Sequence, residues 1–357
     1  MDEIRVAWVN QGASGEDPWT LAQIQAMDEV ERAFAGRVRA SFVEKVELGE
    51  GVTGAVDRLV DDGCTLVIAP SAPLAADIRR AAATHPEVRF EQARSRKLSR
   101  NISTYTGTHE QSSYLTGLAA GSVSVVGRIG YVAPVFEVET LRILNGFALG
   151  VQATLPGAVV LVSWVDSWWD PDAERSAGEF LLDAGVDVIA TGCTSPATGE
   201  LAREVALPWC SQDADRSHEF SDVWVTAPRI LPGAHYKRRV ADVLTDSWWS
   251  QKYIGGLADG FTDIAPIGLV VPDGARQMVM RIRDRIRSGG RIPRLGFPFG
   301  SDPVARPTRM VAPEVWAAST HVPGIEVIEM PLPTGPEPTG DPEDPGRHTA
   351  RIPCVTS

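Results

Sequence analysis

Residues 111–132 read QSSYLTGLAAGSVSVVGRIGYV, and they mark the point where the chain passes from one set of α/β units to a second. The residues up to 125 form an amphipathic, helix-like stretch, and a short run rich in Val and Ile begins at Ile129. A short apolar run of this kind, bounded by glycine, is typical of a buried strand. We therefore place the division between the two sets near Gly127.

Strands and helices are predicted to alternate on both sides of this point. The predicted strands are residues 4–9, 38–43, 66–69, 88–91, 129–132, 159–164, 186–190, 208–211 and 223–226. The predicted helices are residues 19–34, 51–62, 73–84, 111–125, 139–155, 171–184, 198–205 and 233–247. Val- and Ile-rich strands separated by helices indicate parallel sheets with helices on both faces. The predicted fold class is α/β, with two doubly wound lobes and a ligand crevice at the carboxyl ends of the strands.

The composition argues against several classes of function. The 357 residues carry a formal net charge of −12, and the pI is near 5.0. Binding to nucleic acid needs a basic surface that displaces counterions, so no nucleic-acid partner is expected. No apolar run reaches the length of about 18 residues that a membrane-spanning helix needs, which argues against direct membrane insertion.

The first residues bear on location. The chain enters a predicted strand at Ile4, with no basic segment, apolar segment or lipid-carrying cysteine before it. As written, the chain is therefore expected to be cytoplasmic. If an export signal was trimmed, or if the start was misassigned, the alternative is an extracytoplasmic lipoprotein anchored to the membrane.

The sequence gives little support for the common cofactor and nucleophile sites. There is no P-loop and no G-x-S-x-G motif, and the spacing G-x-G-x-x-G, which occurs at residues 49–54, carries little weight on its own. The four cysteines form no C-x-x-C pair, and no two of the six histidines are spaced i, i+4. We therefore expect no cofactor, no metal ion and no catalytic residues.

Six segments resemble the basic membrane protein (BMP) family of bacterial ABC-transporter solute-binding proteins, whose best-understood members bind purine nucleosides. They are residues 114–121, 127–132, 145–150, 167–171, 184–189 and 255–260. The resemblance implies a type I periplasmic-binding-protein fold, in which crossing strands form a hinge between the lobes. Lobe 1 would comprise residues 1–126 and 227–254, and lobe 2 would comprise residues 127–226 and 255–330. Residues 331–357, rich in Pro, Gly and acids, are predicted to be a disordered tail.

The resemblance also implies a binding site for a nucleoside-like ligand. Trp19 and Trp168 match the two family aromatics that stack on the base, and Trp169 could take the place of Trp168. Each stacked indole face contributes roughly 1–3 kcal/mol. Asp213 matches an aspartate that accepts two hydrogen bonds from the ribose diol, and Asp215 is its alternative. The competing interpretation is that these residues are ordinary core or surface aromatics and a solvated loop acid.

Other candidate contacts depart from the family pattern. Thr20 stands where the family has asparagine, Gln111 (after Glu110) where it has glutamate, and Arg229 where a lysine is common. Replacing a glutamate by Gln111 exchanges a charged acceptor for an amide that both donates and accepts, so recognition of the ligand edge is expected to be altered. Ser71, after the strand at 66–69, is a further candidate polar contact.

The main hypothesis is a ligand-binding protein for ABC-type uptake or for sensing, with an ABC permease as a candidate partner. The alternative is an enzyme on the same scaffold that cleaves a glycosidic bond, with Asp213 or Glu110 as general base or oxocarbenium stabiliser. His109 could also act as a general base, although a hydrogen-bonding histidine is the simpler interpretation. A regulatory or scaffolding role is the third hypothesis.

Overall fold

The computed structural model describes residues 3–12, 18–95, 97–290 and 324–328. The strands are β1 (Ile4–Val9), β2 (Val38–Val43), β3 (Cys64–Ala69), β4 (Arg89–Ala93), β5 (Ile102–Gly107), β6 (Arg128–Ala133), β7 (Val159–Trp164), β8 (Val188–Thr191), β9 (Trp209–Cys210), β10 (Trp224–Thr226), β11 (Pro228–Ile230), β12 (Lys252–Gly255), β13 (Thr262–Ile264) and β14 (Ile325–Val327). The predicted tail at 331–357 lies outside the described residues.

The helices lie between these strands for most of the chain. They are α1 (Pro18–Ala33), α2 (Glu50–Asp61), α3 (Ala75–Thr84), α4 (His109–Val123), α5 (Val138–Thr154), α6 (Pro171–Asp183), α7 (Ala197–Glu204), α8 (Gly233–Leu244) and α9 (Asp273–Arg287). A short 3₁₀ helix, Ala72–Leu74, precedes α3.

Two parallel sheets form the centres of the two lobes. The first has the order β12-β5-β4-β3-β1-β2, and the second has the order β10-β9-β8-β6-β7-β14. The last four residues of β1, Val6 to Val9, are completely buried, as expected for a strand with helices on both faces of its sheet. The predicted class, two doubly wound α/β lobes, is confirmed.

The hinge lies where the chain crosses between the lobes. Within the described residues the crossings fall between β5 and α4, between β10 and α8, and between β12 and α9. At the second and third crossings, β11 and β13 pair in antiparallel register, with Arg229 opposite Asp263. The lobes are thus joined by short backbone segments.

Helix α4 packs into the core of the second lobe. Its Leu115 and Leu118 belong to the same buried cluster as Ile129 and Phe147. At Gly117, an added Cβ would collide with the Phe147 carbonyl oxygen, so the close approach of α4 and α5 requires a residue without a side chain. The sequence-based boundary at 126/127 assigns α4 to the first lobe, but by packing it belongs to the second.

Strand β5 was not among the predicted strands because its buried residues are largely polar. Ser103 and Thr104 are both almost fully buried in the first sheet. The Ser103 hydroxyl accepts a hydrogen bond from Arg239 of α8 over 3.1 Å. Arg239 also donates to the buried Glu91 of β4 over 2.6 Å. The polar strand therefore holds α8, which follows the second crossing, on the first sheet.

Candidate functional site

The carboxyl ends of the strands in the two sheets face each other across a cleft. Arg94 directly follows β4, and its guanidinium lies 3.6 Å from the carboxylate of Glu137, which follows β6 in the other lobe. Arg94, Asp166 and Asp213 all follow strands and have φ values of 50°, 54° and 56°. This left-handed conformation is uncommon for residues other than glycine and concentrates at functional sites.

Trp19 lies in the first turn of α1, at the carboxyl end of β1. It is half-buried and packs against the core cluster that contains Trp8. The guanidinium carbon of Arg94 lies 5.2 Å from the centre of the Trp19 ring, within the range of a cation–π contact. The indole is therefore positioned at the cleft and already faces a planar group.

Thr20 is completely buried, and its hydroxyl accepts a hydrogen bond from the Asn10 side chain over 2.7 Å. Asn10 directly follows β1, so the bond ties the start of α1 to the end of that strand. Ser71 precedes the short 3₁₀ helix and is half-buried. Its carbonyl oxygen accepts from Gln92 over 2.9 Å. Of these two predicted contacts, the partly exposed Ser71 is the better placed for a ligand.

Trp168 lies in the loop between β7 and α6 and is half-buried. Its carbonyl oxygen accepts hydrogen bonds from both the amide (3.1 Å) and the hydroxyl (3.0 Å) of Thr194, which follows β8. Asp170 caps α6 by accepting from the Ala173 amide over 3.1 Å. These hydrogen bonds therefore fix the backbone at Trp168 and just after it. Trp169 is 39% exposed and points more to solvent.

Asp213 lies three residues beyond β9. Its amide donates to the Pro228 carbonyl over 3.0 Å, and its Oδ1 accepts from the Gln212 side chain over 3.0 Å. These contacts fix the left-handed backbone and orient the carboxylate. Asp215 is exposed and accepts from the Ser217 amide within its own loop. Asp213 is the better anchored of the two acids.

A narrow crevice lined by Gln212, the neighbour of Asp213, lies at the carboxyl ends of β6, β8 and β9. Its lining includes hydroxyl and amide side chains, namely Ser113, Thr116, Tyr131, Thr191, Ser211 and Gln212. Burial, followed by the nearby Cys193 and Asp213, raises the pKa of Tyr131, so its hydroxyl remains a donor. The packed side chains leave no space for even a water molecule, so the crevice does not accommodate a ligand in this structure.

Gln111 and Arg229 lie at the hinge. The Gln111 Oε1 accepts a hydrogen bond from the Leu257 amide over 2.9 Å. Arg229 is half-buried on β11. This hydrogen bond of Gln111 holds the crossing after β12, whereas the sequence predicts that Gln111 contacts the ligand.

The N-termini of α4 and α5 carry a buried group of charges. His109 Nδ1 lies 3.0 Å from Glu139 Oε1, and Arg142 pairs with both Glu110 and Glu139. Burial by itself raises the pKa of Glu139, but His109, then Arg142 and Arg94, outweigh it and hold that pKa at about 2. His109 is thus held against Glu139, and Glu110 against Arg142, which does not favour a general-base role.

Sequence reasoning missed Arg94 as a site residue. The only signal that could have found it is its place just after a predicted parallel strand, where crevice residues lie in α/β folds.

Among the described residues, no group of three or more His, Cys, Asp or Glu side chains is arranged to hold a metal ion. None of the helices in the described ranges combines the length and apolarity needed to cross a membrane.

Two α/β lobes joined by crossing strands at a hinge define the class of proteins with the type I periplasmic-binding-protein fold. A solved ABC-transporter solute-binding protein from Conexibacter woesei has this fold, with a TM-score of 0.70 and 20% identity. The match covers 81% of this chain and 98% of that one. The expected type I fold is confirmed.

The model of the Bmp family, described as ABC transporter substrate-binding protein PnrA-like, matches residues 4–221. The chain belongs to this family. A purine-binding protein of Brucella abortus is 30% identical over 288 residues, covering 81% of this chain and 82% of the relative. A Haloferax volcanii protein, provisionally named an ABC transporter glucose-binding protein, is 24% identical over 285 residues, or 80% and 72% of the two chains.

Family membership shows a solute-binding role, in which the protein binds a small molecule and serves an ABC transporter. The resemblance inferred from the sequence is confirmed. The comparisons support binding and do not support the alternative of an enzyme that cleaves a glycosidic bond.

Proposed function

We propose that this protein binds a nucleoside-like ligand in the cleft, with the base between Trp19 and Trp168 and the sugar hydroxyls on Asp213. The observation that carries the proposal is the half-buried Trp19 ring, which lies at the cleft beside Arg94. An indole ring is suited to stack on a flat heterocycle. The purine-binding relative supports this class of ligand.

The anchored carboxylate of Asp213 supports a ligand whose base carries a hydroxylated sugar. A carboxylate offers two acceptor oxygens, and hydrogen bonds to a charged group are the stronger kind. Of the other predicted contacts, Ser71 is partly exposed and belongs to the proposed site. Thr20, Gln111 and Arg229 are proposed to support the site without contacting the ligand. Thr20 is buried, and the other two residues lie at the hinge.

The proposed role is delivery of the ligand to an ABC permease, and the proposed location is outside the cytoplasm. The family description, a substrate-binding protein of ABC transporters, supports both. Cell fractionation combined with protease accessibility of intact cells would test the location. A protein that is protected in intact cells would contradict it.

Calorimetry with a panel of ligands tests the proposal. The panel contains adenosine, guanosine, inosine, their free bases, and glucose as the sugar suggested by the Haloferax relative's name. We expect at least one purine nucleoside to bind, and to bind more tightly than its free base because Asp213 holds the sugar. Binding of glucose alone, or of none of the purines, would contradict the proposal.

A further inference from the structure

Arg94 contacts both halves of the cleft. Its guanidinium lies over the Trp19 ring at 5.2 Å and lies 3.6 Å from the carboxylate of Glu137 in the second lobe. Its side chain is 26% exposed, so part of it reaches the cleft. Its Nε is buried and has no hydrogen-bond partner among the residues that the structure describes.

The pairing with Glu137 leaves donors of Arg94 available. A charge-assisted hydrogen bond between a guanidinium and a carboxylate has a length of about 2.7–2.9 Å. The separation of 3.6 Å exceeds this, so the two groups attract each other without a close hydrogen bond. An arginine carries five N–H donors in a rigid fork, and a donor left unpaired in a partly buried site is costly.

A ring that stacks on Trp19 would meet this fork. Because Arg94 lies over the same indole, a stacked heterocycle must either contact the guanidinium or displace it. The nearby Glu137 and Glu139 offset the charge of Arg94, so the ligand need not be an anion. A neutral ring edge with two adjacent acceptors suits the fork best. Arginine pairs in this way with O6 and N7 of guanine, whereas the amino group of adenine presents a donor.

We propose that Arg94 is a ligand-contacting specificity residue that selects 6-oxopurine rings over 6-aminopurine rings. This inference rests on the proposed function, because it requires a purine on Trp19. It adds to that function the feature of the base that is recognised and the residue that recognises it. The backbone of Arg94 is left-handed, with φ of 50°, and such conformations cluster at ligand-binding and active sites.

The test compares inosine with adenosine, which differ in the group at position 6, by calorimetry on the full chain. The wild-type protein should bind inosine at least about tenfold more tightly than adenosine. Arg94→Gln should shift the ratio of affinities at least about tenfold toward adenosine, because glutamine pairs with N6 and N7 of adenine. Arg94→Lys keeps the charge without the fork and should remove the preference without reversing it.

Arg89→Gln is the matched control. Arg89 lies at the other end of the same strand and pairs with the exposed Asp246, so its loss should not change the ratio. If Arg94→Gln and Arg94→Lys fold normally but weaken both nucleosides equally, Arg94 acts only on the structure and the inference is wrong. If the wild type prefers adenosine, the inference is wrong while the proposed function stands. If it binds neither purine, both are wrong.

Discussion

The side-chain oxygen of Gln111, in the first turn of α4, accepts a hydrogen bond from the backbone amide of Leu257 over 2.9 Å. Leu257 lies just beyond β12, where the chain leaves the first lobe for the last time. This hydrogen bond therefore connects the crossing before α4 to the crossing after β12, which are two of the three crossings between the lobes. Thr108, next to α4, reinforces the connection by donating from its hydroxyl to the Gly255 carbonyl over 3.0 Å.

Substituting Gln111 should separate a role in the hinge from a role in ligand contact. Gln111→Met keeps the length of the side chain but leaves the Leu257 amide unpaired. We expect the free energy of unfolding in urea to fall by about 1–2 kcal/mol. Gln111→Glu retains an acceptor and should preserve most of the stability. A loss of ligand affinity with unchanged stability would instead assign Gln111 to the ligand.

Trp19→Ala and Trp168→Ala should each weaken binding of the best purine ligand by at least about 1 kcal/mol, or roughly fivefold, because each removes a stacking surface. Trp249→Ala is the control, since Trp249 is 63% exposed and precedes β12 at the end of the sheet away from the cleft. Calorimetry gives the affinities. Unchanged affinity in both cleft variants would rule out the pair of stacking tryptophans.

Glu139 should make stability depend on acid pH. Its pKa is about 2 in the folded protein and 4.5 ordinarily, so its contribution is present above pH 4.5 and is lost as the pH falls toward 2. The groups that face it are His109, Arg142 and Arg94. The contribution is on the order of 3 kcal/mol. Glu139→Gln should flatten the acid side of the stability curve measured in urea.

Glu204→Gln provides the comparison for Glu139. Glu204 pairs with Arg175 on the exposed surface, where solvent screens the interaction. This variant should leave the acid dependence of stability nearly unchanged. An equal flattening in the two variants would show that the buried pairing of Glu139 contributes no more to the acid dependence of stability than an exposed ion pair does.

Arg239→Ala should be strongly destabilising because it leaves Glu91 buried without its cation. Both side chains are almost completely buried in the first lobe. Removing one partner of such a pair costs about 3–5 kcal/mol. Lys237→Ala, on the same helix, removes an exposed pair with Glu29 and should cost less than about 1 kcal/mol. Chemical unfolding of the two variants gives the difference, and similar losses would contradict the expectation.

The alternation of strands and helices was predictable because it depends on local hydrophobic pattern. The predicted strands at 4–9, 38–43 and 159–164 coincide with β1, β2 and β7. Trp19, Trp168 and Asp213 were found from their places in loops after strands and from resemblance to the family. The observed backbone puts all three at carboxyl ends of strands, and their contact with a ligand stays a prediction.

The sequence by itself therefore determined the α/β class, the two lobes and the family, since periodicity and short motifs are properties of neighbouring residues. Only the tertiary structure decided that α4 packs into the second lobe, that the polar β5 is a strand inside the first sheet, and that Arg94 lies between Trp19 and Glu137. Each of these depends on contacts between residues far apart in the chain. Burial and pairing of polar groups over such separations leave no periodic trace in the sequence, because the partner that satisfies a polar group is chosen by the fold.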